Sequence, residues 1–264
     1  MTLALLNIIC LTILLFLWHG PLWQPRKLPG VDRQRPLLIG HRGVRGARPE
    51  NTLEAFQYAL DAGLDGVECD VQRTRDGQLV LVHDLHIAGR AVTSLSHEEL
   101  LRYDARVPLL EELLQLMTYY PGTLLNVELK VAGLGGYRLI RSSSQAIYRS
   151  GEVDRVIVSS FNRFTLLQLR LVAPRLRCGL LIDESTPRFW QGGWLAGWYH
   201  VDAVHPHFRK LTPRLMHRYQ KRGLTVSTWT VNEDSEVQKA LALEVDGIMA
   251  DDPVALRQAA AAER

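Results

Sequence analysis

Glu68 and Asp70 stand one residue apart in the run Gly66-Val67-Glu68-Cys69-Asp70-Val71, and Asn126, Glu128 and Lys130 repeat that spacing between Leu124 and Lys130. In an extended strand, residues i and i+2 point to the same side. If both runs are strands, the carboxylates share one face, and Val67, Cys69, Val71, Leu125, Val127 and Leu129 share the other. Two histidines also follow apolar runs: His41, next to Arg42, and His83. Three converging carboxylates without a cysteine among them suit a hard cation such as Mg²⁺ or Ca²⁺. Without one, their mutual repulsion drives at least one pKa up. Taken singly, each could instead be a structural ion pair with Arg42 or Lys130. Two histidines beside such a cation suit general acid–base catalysis, and Arg42 and Lys130 suit charge developing on an oxyanion.

Side chains so scattered in sequence need a scaffold that gathers strand ends. Short apolar runs at 37–41, 66–70, 124–128, 156–159, 178–182, 203–205, 225–229 and 247–250 alternate with helical patterns such as 51–62, 109–119, 164–172, 213–221 and 233–241. Such alternation predicts parallel β-structure, and its repetition predicts a closed (β/α)₈ TIM barrel. The carboxylates then lie at C-terminal strand ends, where barrel enzymes carry out their chemistry. Asn51, with Glu54 three residues on, is the expected cap of the first helix, and Gly63 its left-handed end. Residues 79–83 follow the second strand too closely for a helical crossover. Asp76-Gly77 predicts a two-residue hairpin turn at the rim, which would set Val71 opposite Val82 and Asp70 opposite His83.

The chain has 264 residues, a formal net charge of +3 and 47% hydrophobic residues. It carries no basic stripe interleaved with aromatics, which argues against a nucleic-acid partner. The basic excess lies in residues 26–48, as a solvated linker or as a patch for anionic lipid headgroups. Residues 2–18 carry no charge, and the uncharged run continues through Trp23. That length can span a hydrocarbon core. No basic residue precedes the run and no small-residue cleavage site follows it, so an anchor is expected rather than a cleaved signal. The expected division is a transmembrane anchor at 1–23, a basic linker at 24–36 and a barrel domain at 37–264. Arg26 and Lys27 follow the span, which places the C-terminal domain in the cytoplasm, on a single-pass inner-membrane protein. Cys10, Cys69 and Cys178 form no CxxC pair and are consistent with a reducing compartment.

Taken in order, several motifs resemble the glycerophosphodiester phosphodiesterase family. They are His41-Arg42-Gly43, Pro49-Glu50-Asn51-Thr52, Gly66 to Val71, Thr74-x-Asp76-Gly77, His83-Asp84, Val107 to Leu113, Asn126 to Lys130, Ser159-Ser160-Phe161, Trp229 to Asn232 and Asp246-Gly247-Ile248. The resemblance covers residues 37–253 and implies a bacterial, membrane-anchored member. It implies Glu68, Asp70 and Glu128 as metal ligands, with Mg²⁺ or Ca²⁺ as the divalent cation. It implies His41 and His83 as the acid/base pair, Arg42 and Lys130 on the phosphate, and Phe161 and Trp229 lining the pocket. The implied reaction is hydrolysis of a glycerophosphodiester to glycerol 3-phosphate and an alcohol. Where members of the family often carry Leu-x-Arg-Thr-Thr, this chain reads Leu85-His86-Ile87-Ala88-Gly89-Arg90. Only a small insertion fits before the strand at Leu124, so the alcohol is left open. A phospholipase D-like attack on lysophospholipids at the membrane is the alternative reading. A non-catalytic barrel that binds phosphorylated ligands is a third, and inactive relatives would be expected to lack a ligand or a histidine present here. His205 and His207 are expected to be loop histidines.

Overall fold

The computed structural model describes residues 23–31, 35–133, 135–192 and 194–252, with positions 7, 8, 10 and 14 of the apolar N-terminal run. The alternating runs become strands β1 (Leu37–Gly40), β2 (Gly66–Arg73), β3 (Leu79–Leu81), β4 (His86–Ile87), β5 (Arg90–Ala91), β6 (Leu124–Leu129), β7 (Val156–Ser160), β8 (Arg177–Ile182), β9 (Ala203–Pro206), β10 (Thr225–Thr228) and β11 (Gly247–Ala250). Strands β1, β2 and β6 to β11 pair in parallel, and β1 pairs with both β2 and β11. The ring is therefore a closed eight-stranded parallel barrel, as the alternation predicts. Helices α1 (Leu53–Asp61), α2 (His97–Leu101), α3 (Leu110–Met117), α4 (Tyr137–Ser150), α5 (Arg163–Val172), α6 (Trp194–Tyr199), α7 (Pro213–Gln220) and α8 (Asp234–Ala242) join the strands.

Side-chain alternation sorts the barrel into two cores. Val67, Cys69, Val71, Leu125, Val127 and Leu129 face outward and pack in one large cluster with helix residues such as Phe56, Leu113 and Ile140. Leu37, Ile39, Leu124, Ile157, Ala203 and Met249 face inward, and Leu28 closes their cluster. Leu28, Arg26 and Trp23, ahead of β1, are thus packed on the barrel. The Arg26 guanidinium donates to both Asp202 oxygens, at 3.1 and 3.0 Å, and Trp23 stacks on His200 with ring centroids 4.7 Å apart. These contacts lie just before β8 and β9, at the N-terminal end of the barrel. Other cations of the basic stretch are also paired: Arg35 with Asp65, Arg45 with Glu50 and Arg48 with Glu54. The expected anchor lies almost wholly outside the described residues, among which no helix is long and apolar enough to cross a membrane.

Two local expectations are corrected. Thr52, not Asn51, caps α1, accepting from the Ala55 N–H at 3.2 Å, while Asn51 sits at φ 57 with its side chain turned to Asp70. Gly63 does adopt a left-handed conformation, at φ 76. The β2–β3 hairpin is antiparallel as predicted, but its register is one residue away: Val71 faces Leu81 and Arg73 faces Leu79. Only Gly77 takes a positive φ, of 96°, and Asp76 does not. The loop is therefore a three-residue turn, with Gly77 N–H bonded to Thr74 O and Thr74 N–H to Gln78 O. The Thr74 hydroxyl donates to the Asp76 carboxylate at 2.6 Å, which favours this turn over the two-residue one. His83 therefore lies beyond the ladder instead of opposite Asp70. Gly77→Val is expected to destabilise the protein by about 1–3 kcal/mol, the usual range for a side chain forced to positive φ. A Cβ there would also stand 2.8 Å from an Arg73 nitrogen. Urea unfolding measures this, and an unchanged midpoint would contradict the turn assignment.

The insertion after β3 is small. The β4–β5 hairpin and α2 cover a separate apolar cluster of Val80, Val92, Leu95 and Leu100 beside the rim.

Candidate active site

Strands β2 and β6 are neighbours, registered so that Glu68 faces Asn126 and Asp70 faces Glu128. Ligand oxygens of Glu68, Asp70 and Glu128 all lie within 4.8 Å of one another, and all three residues are buried. After β1 the chain turns sharply through Arg42 at φ 54 and Gly43 at φ 82. A Cβ on Gly43 would stand 2.7 Å from the Ala55 carbonyl carbon, so only glycine fits the turn. The turn aims the Arg42 N–H at Glu68 Oε2, 2.9 Å away. The Arg42 side chain donates to Glu50 at 2.8 Å, and its Nε lies 3.3 Å from Asp70 Oδ2. Lys130 Nζ lies 2.8 Å from Glu128 and 3.3 Å from Asp70. The ion pairs open to each carboxylate singly are therefore present for Asp70 and Glu128, and they leave Glu68 Oε1 buried with no hydrogen-bond partner among the described residues.

The electrostatics show the same shortfall of positive charge. Burial, then the charges of Asp70 and Glu128, push the Glu68 carboxyl well above the usual range. Burial, then Asp70, pushes Glu128 up to about 7 in spite of Lys130. Burial would raise Asp70 too, but Lys130, Arg42 and a hydrogen bond from Asn51 hold it below the usual value. An all-oxygen donor set with an orphaned carboxylate oxygen fits a divalent cation. Carboxyls raised in the folded state cost stability as pH climbs from the ordinary carboxylate range through about 7, because the fold favours their protonated forms. A cation bound there would take the place of those protons. We expect Mg²⁺ or Ca²⁺ at a hundredfold excess over Kd to stabilise the protein by about 2.7 kcal/mol. The shift should be larger at about pH 8 than at about pH 5.5, where protons compete. Thermal unfolding with and without chelator measures this, and equal shifts at both pH values would argue against these carboxylates as the ligands.

His41 Nδ1 is 2.7 Å from Asp251 Oδ1, and its Nε2 is 3.9 Å from Glu68 Oε2. His83 Nδ1 is 2.8 Å from Asp84 Oδ1. A cavity of about 260 Å³ is lined by His41, Arg42, Glu68, His83, Glu128, Lys130, Phe161 and Trp229. Every site residue expected from the sequence therefore meets at one place except Asp70, which lies immediately behind, against Arg42 and Lys130. Phe161 stands edge-on to Trp229, with ring centroids 5.5 Å apart, and forms the partly exposed wall. A larger cavity of about 510 Å³, lined by Arg188, Arg209, Lys210, Arg214 and Arg218, contains none of these groups.

The sequence of residues 41–255 matches the glycerophosphoryl diester phosphodiesterase family. The chain belongs to that family. It is 33% identical over 239 residues to a glycerophosphodiester phosphodiesterase of Caldanaerobacter subterraneus subsp. tengcongensis, covering 84% of this chain and 96% of the relative. A glycerophosphodiester phosphodiesterase of Bacillus altitudinis is 31% identical, covering 82% and 94%. A human lysophospholipase D is 26% identical, covering 83% and 84%. A solved Oleispira antarctica phosphodiesterase in complex with the product sn-glycerol-3-phosphate superposes with a TM-score of 0.78 at 26% identity, covering 86% of this chain and 97% of that one. The protein is thus a phosphoric diester hydrolase.

Several groups in the hydrolase's site escape strand arithmetic. Asn51 brackets Asp70: its Nδ2 donates to the carboxylate at 2.9 Å, and its Oδ1 accepts from the Asp70 N–H at 3.1 Å. Asp251 follows β11, and its backbone and side chain pair with the Asn232 carboxamide, at 2.9 Å each. Burial would raise the Asp251 carboxyl, but hydrogen bonds from His41 and Asn232 hold it below its usual value. The signal for Asn51 and Asn232 was present, since both belong to family motifs; nothing in the sequence marked Asp251. Of the two histidines expected in loops, His205 is instead on β9, fully buried and pushed down to about 4 by that burial, hence neutral at neutral pH. His207 lies just past β9 and stands edge-on to Trp229, with centroids 5.2 Å apart.

Proposed function

We propose that the enzyme hydrolyses glycerophosphodiesters to glycerol 3-phosphate and an alcohol, with Glu68, Asp70 and Glu128 holding Mg²⁺ or Ca²⁺. The observation that carries this reading is the buried, under-neutralised carboxylate triad facing His41 and His83 across one cavity. A cation bound there supplies positive charge to the phosphate oxygens. Lys130 and Arg42 add fixed positive charge beside them. The Asp251 carboxylate accepts from the His41 Nδ1–H, which leaves the Nε2 lone pair facing the cavity. His41 thus acts as base, removing the proton from the attacking hydroxyl, whether of water or of the substrate's own glycerol. His83, nearer solvent and paired with Asp84, acts as acid and protonates the leaving alkoxide as the P–O bond breaks. Phe161 and Trp229 flank the departing alcohol and keep bulk water away.

The second reading, hydrolysis of lysophospholipids, draws support from the similarity to the human lysophospholipase D and from the exposed Phe161 at the mouth. One feature of the fold favours the soluble substrate. Trp23 and Arg26 dock at the N-terminal ends of the strands, opposite the carboxylates. An anchor at 1–23 would therefore join the barrel at the end remote from the carboxylates, which would favour a soluble substrate over one held in the bilayer. A reporter fused after Arg264 tests the proposed cytoplasmic placement of the barrel, and periplasmic activity would reverse that placement. Glycerophosphocholine assayed against lysophosphatidylcholine micelles, with each cation, tests the substrate. The proposal expects the soluble diester to be turned over faster, and a preference for micelles would replace it with the second reading.

A further inference from the structure

The register of the β2–β3 hairpin leaves His83 without a ladder partner. Pairing stops at Val71 and Leu81, and one further backbone bond, from Val82 N–H to Asp70 O at 3.0 Å, ends it. His83 nevertheless lines the cavity. What holds it is the side chain of Gln72. That residue continues the Glu68–Asp70 row along β2 and is 2% exposed. Its Nε2 donates to Val82 O at 2.9 Å and to Asp84 O at 2.8 Å, the carbonyls of the residues on either side of His83, with the His83 carbonyl itself at 3.5 Å. A carboxamide has two N–H donors, so both are committed to these carbonyls. The amide replaces the missing strand bonds and clamps the backbone on either side of the histidine.

We propose that Gln72 is the positioning residue for His83. The proposal rests on the reading of His83 as the acid that protonates the leaving alcohol. A residue placed by two hydrogen bonds to its flanking carbonyls loses its aim when they go, and misplacement by about 1 Å costs on the order of 10²-fold in rate.

The test uses Gln72→Met, which keeps length without donors, and Gln72→Glu, which keeps shape but turns an acceptor toward both carbonyls. Each is compared with the wild type and with His83→Ala, using glycerophosphocholine and a glycerophosphodiester of p-nitrophenol. We expect either Gln72 variant to lower kcat for glycerophosphocholine by about 10–10²-fold with KM within about threefold. The p-nitrophenyl substrate, whose leaving group needs no proton, should lose far less. In the His83→Ala background, adding Gln72→Met should change the rate by less than about twofold, because the two changes remove one function. Cation-induced thermal stabilisation should persist in both variants. Equal losses on both substrates, or a full further loss on top of His83→Ala, would make Gln72 merely structural and overturn the proposal. Wild-type kinetics in both Gln72 variants would also overturn it. Normal turnover in His83→Ala alone would instead bring down the acid assignment, and the proposal with it.

Discussion

His41→Ala is expected to lower kcat by about 10²–10⁴-fold, the usual range for a lost general base. Metal-induced stabilisation should be retained, because the imidazole is not one of the three clustered oxygen donors. The size of the effect follows from how the ring is held. Asp251 fixes Nδ1 at 2.7 Å, and Asn232 fixes Asp251 through its carboxamide. The cavity-facing nitrogen is therefore presented in one tautomer and one orientation. Asp251→Asn should reproduce part of the loss by weakening that control while leaving the ring in place. Steady-state kinetics with glycerophosphocholine, beside thermal shifts with Mg²⁺ and Ca²⁺, separate the two roles. Near-normal turnover in His41→Ala would remove the histidine from the mechanism, and lost metal stabilisation would make it a ligand.

Glu68→Gln should be more damaging to turnover and yet benign or favourable to the metal-free fold. The Glu68 carboxyl is buried and faces two other carboxylates, with one oxygen unpartnered among the described residues. Replacing it with an amide removes a buried negative charge from a site short of positive charge, which relieves repulsion in the chelated protein. The same change removes one of the three proposed hard anionic ligands. Charge stabilisation by a cation is a matter of several kcal/mol, so kcat/KM should fall by about 10³-fold or more. We therefore expect two opposite movements. Without metal, at about pH 8, the variant should unfold at or above the wild-type temperature. With excess cation the order should reverse, since only the wild type gains binding energy. A variant less stable than wild type under both conditions would mean that Glu68 is a structural ion-pair partner.

Strand periodicity carried most of the architecture and most of the site. The period-two alternation at Glu68, Asp70 and Glu128 was readable because a barrel interior admits only one face of each strand. His41 was readable because the glycine two residues on marks a tight turn after an apolar run. Three helices were not read from the sequence; Trp194–Tyr199, six residues with a glycine among them, was too short to show a period. Tyr137–Ser150 carries three consecutive serines, two of them buried, so its apolar face is interrupted in composition though not in packing. His97–Leu101 is a single capped turn, too short to show a period. The hairpin register was misread because Asp-Gly is compatible with two loop lengths. The choice was made by the Thr74 hydroxyl, which bonds both the Asp76 carboxylate and the Gln78 amide. Asp251 could not be found by spacing, and spacing places Gln72 on the carboxylate face of β2 without showing its role, because that role lies in bonds to backbone carbonyls. His205 closes the 203–205 run that reads as a strand, and it lies there, on β9, rather than in a loop.

The central claim is that this carboxylate triad holds a cation needed for diester hydrolysis with glycerol 3-phosphate as product. The most direct test is to follow glycerol 3-phosphate and choline release from glycerophosphocholine by the purified chain, first untreated, then with chelator, then with Mg²⁺ or Ca²⁺ restored. Equal release of the two products, loss of both on chelation, and recovery of both with at least one of the two cations are expected. Turnover that survives chelation, or release of phosphocholine and glycerol instead, would contradict the claim.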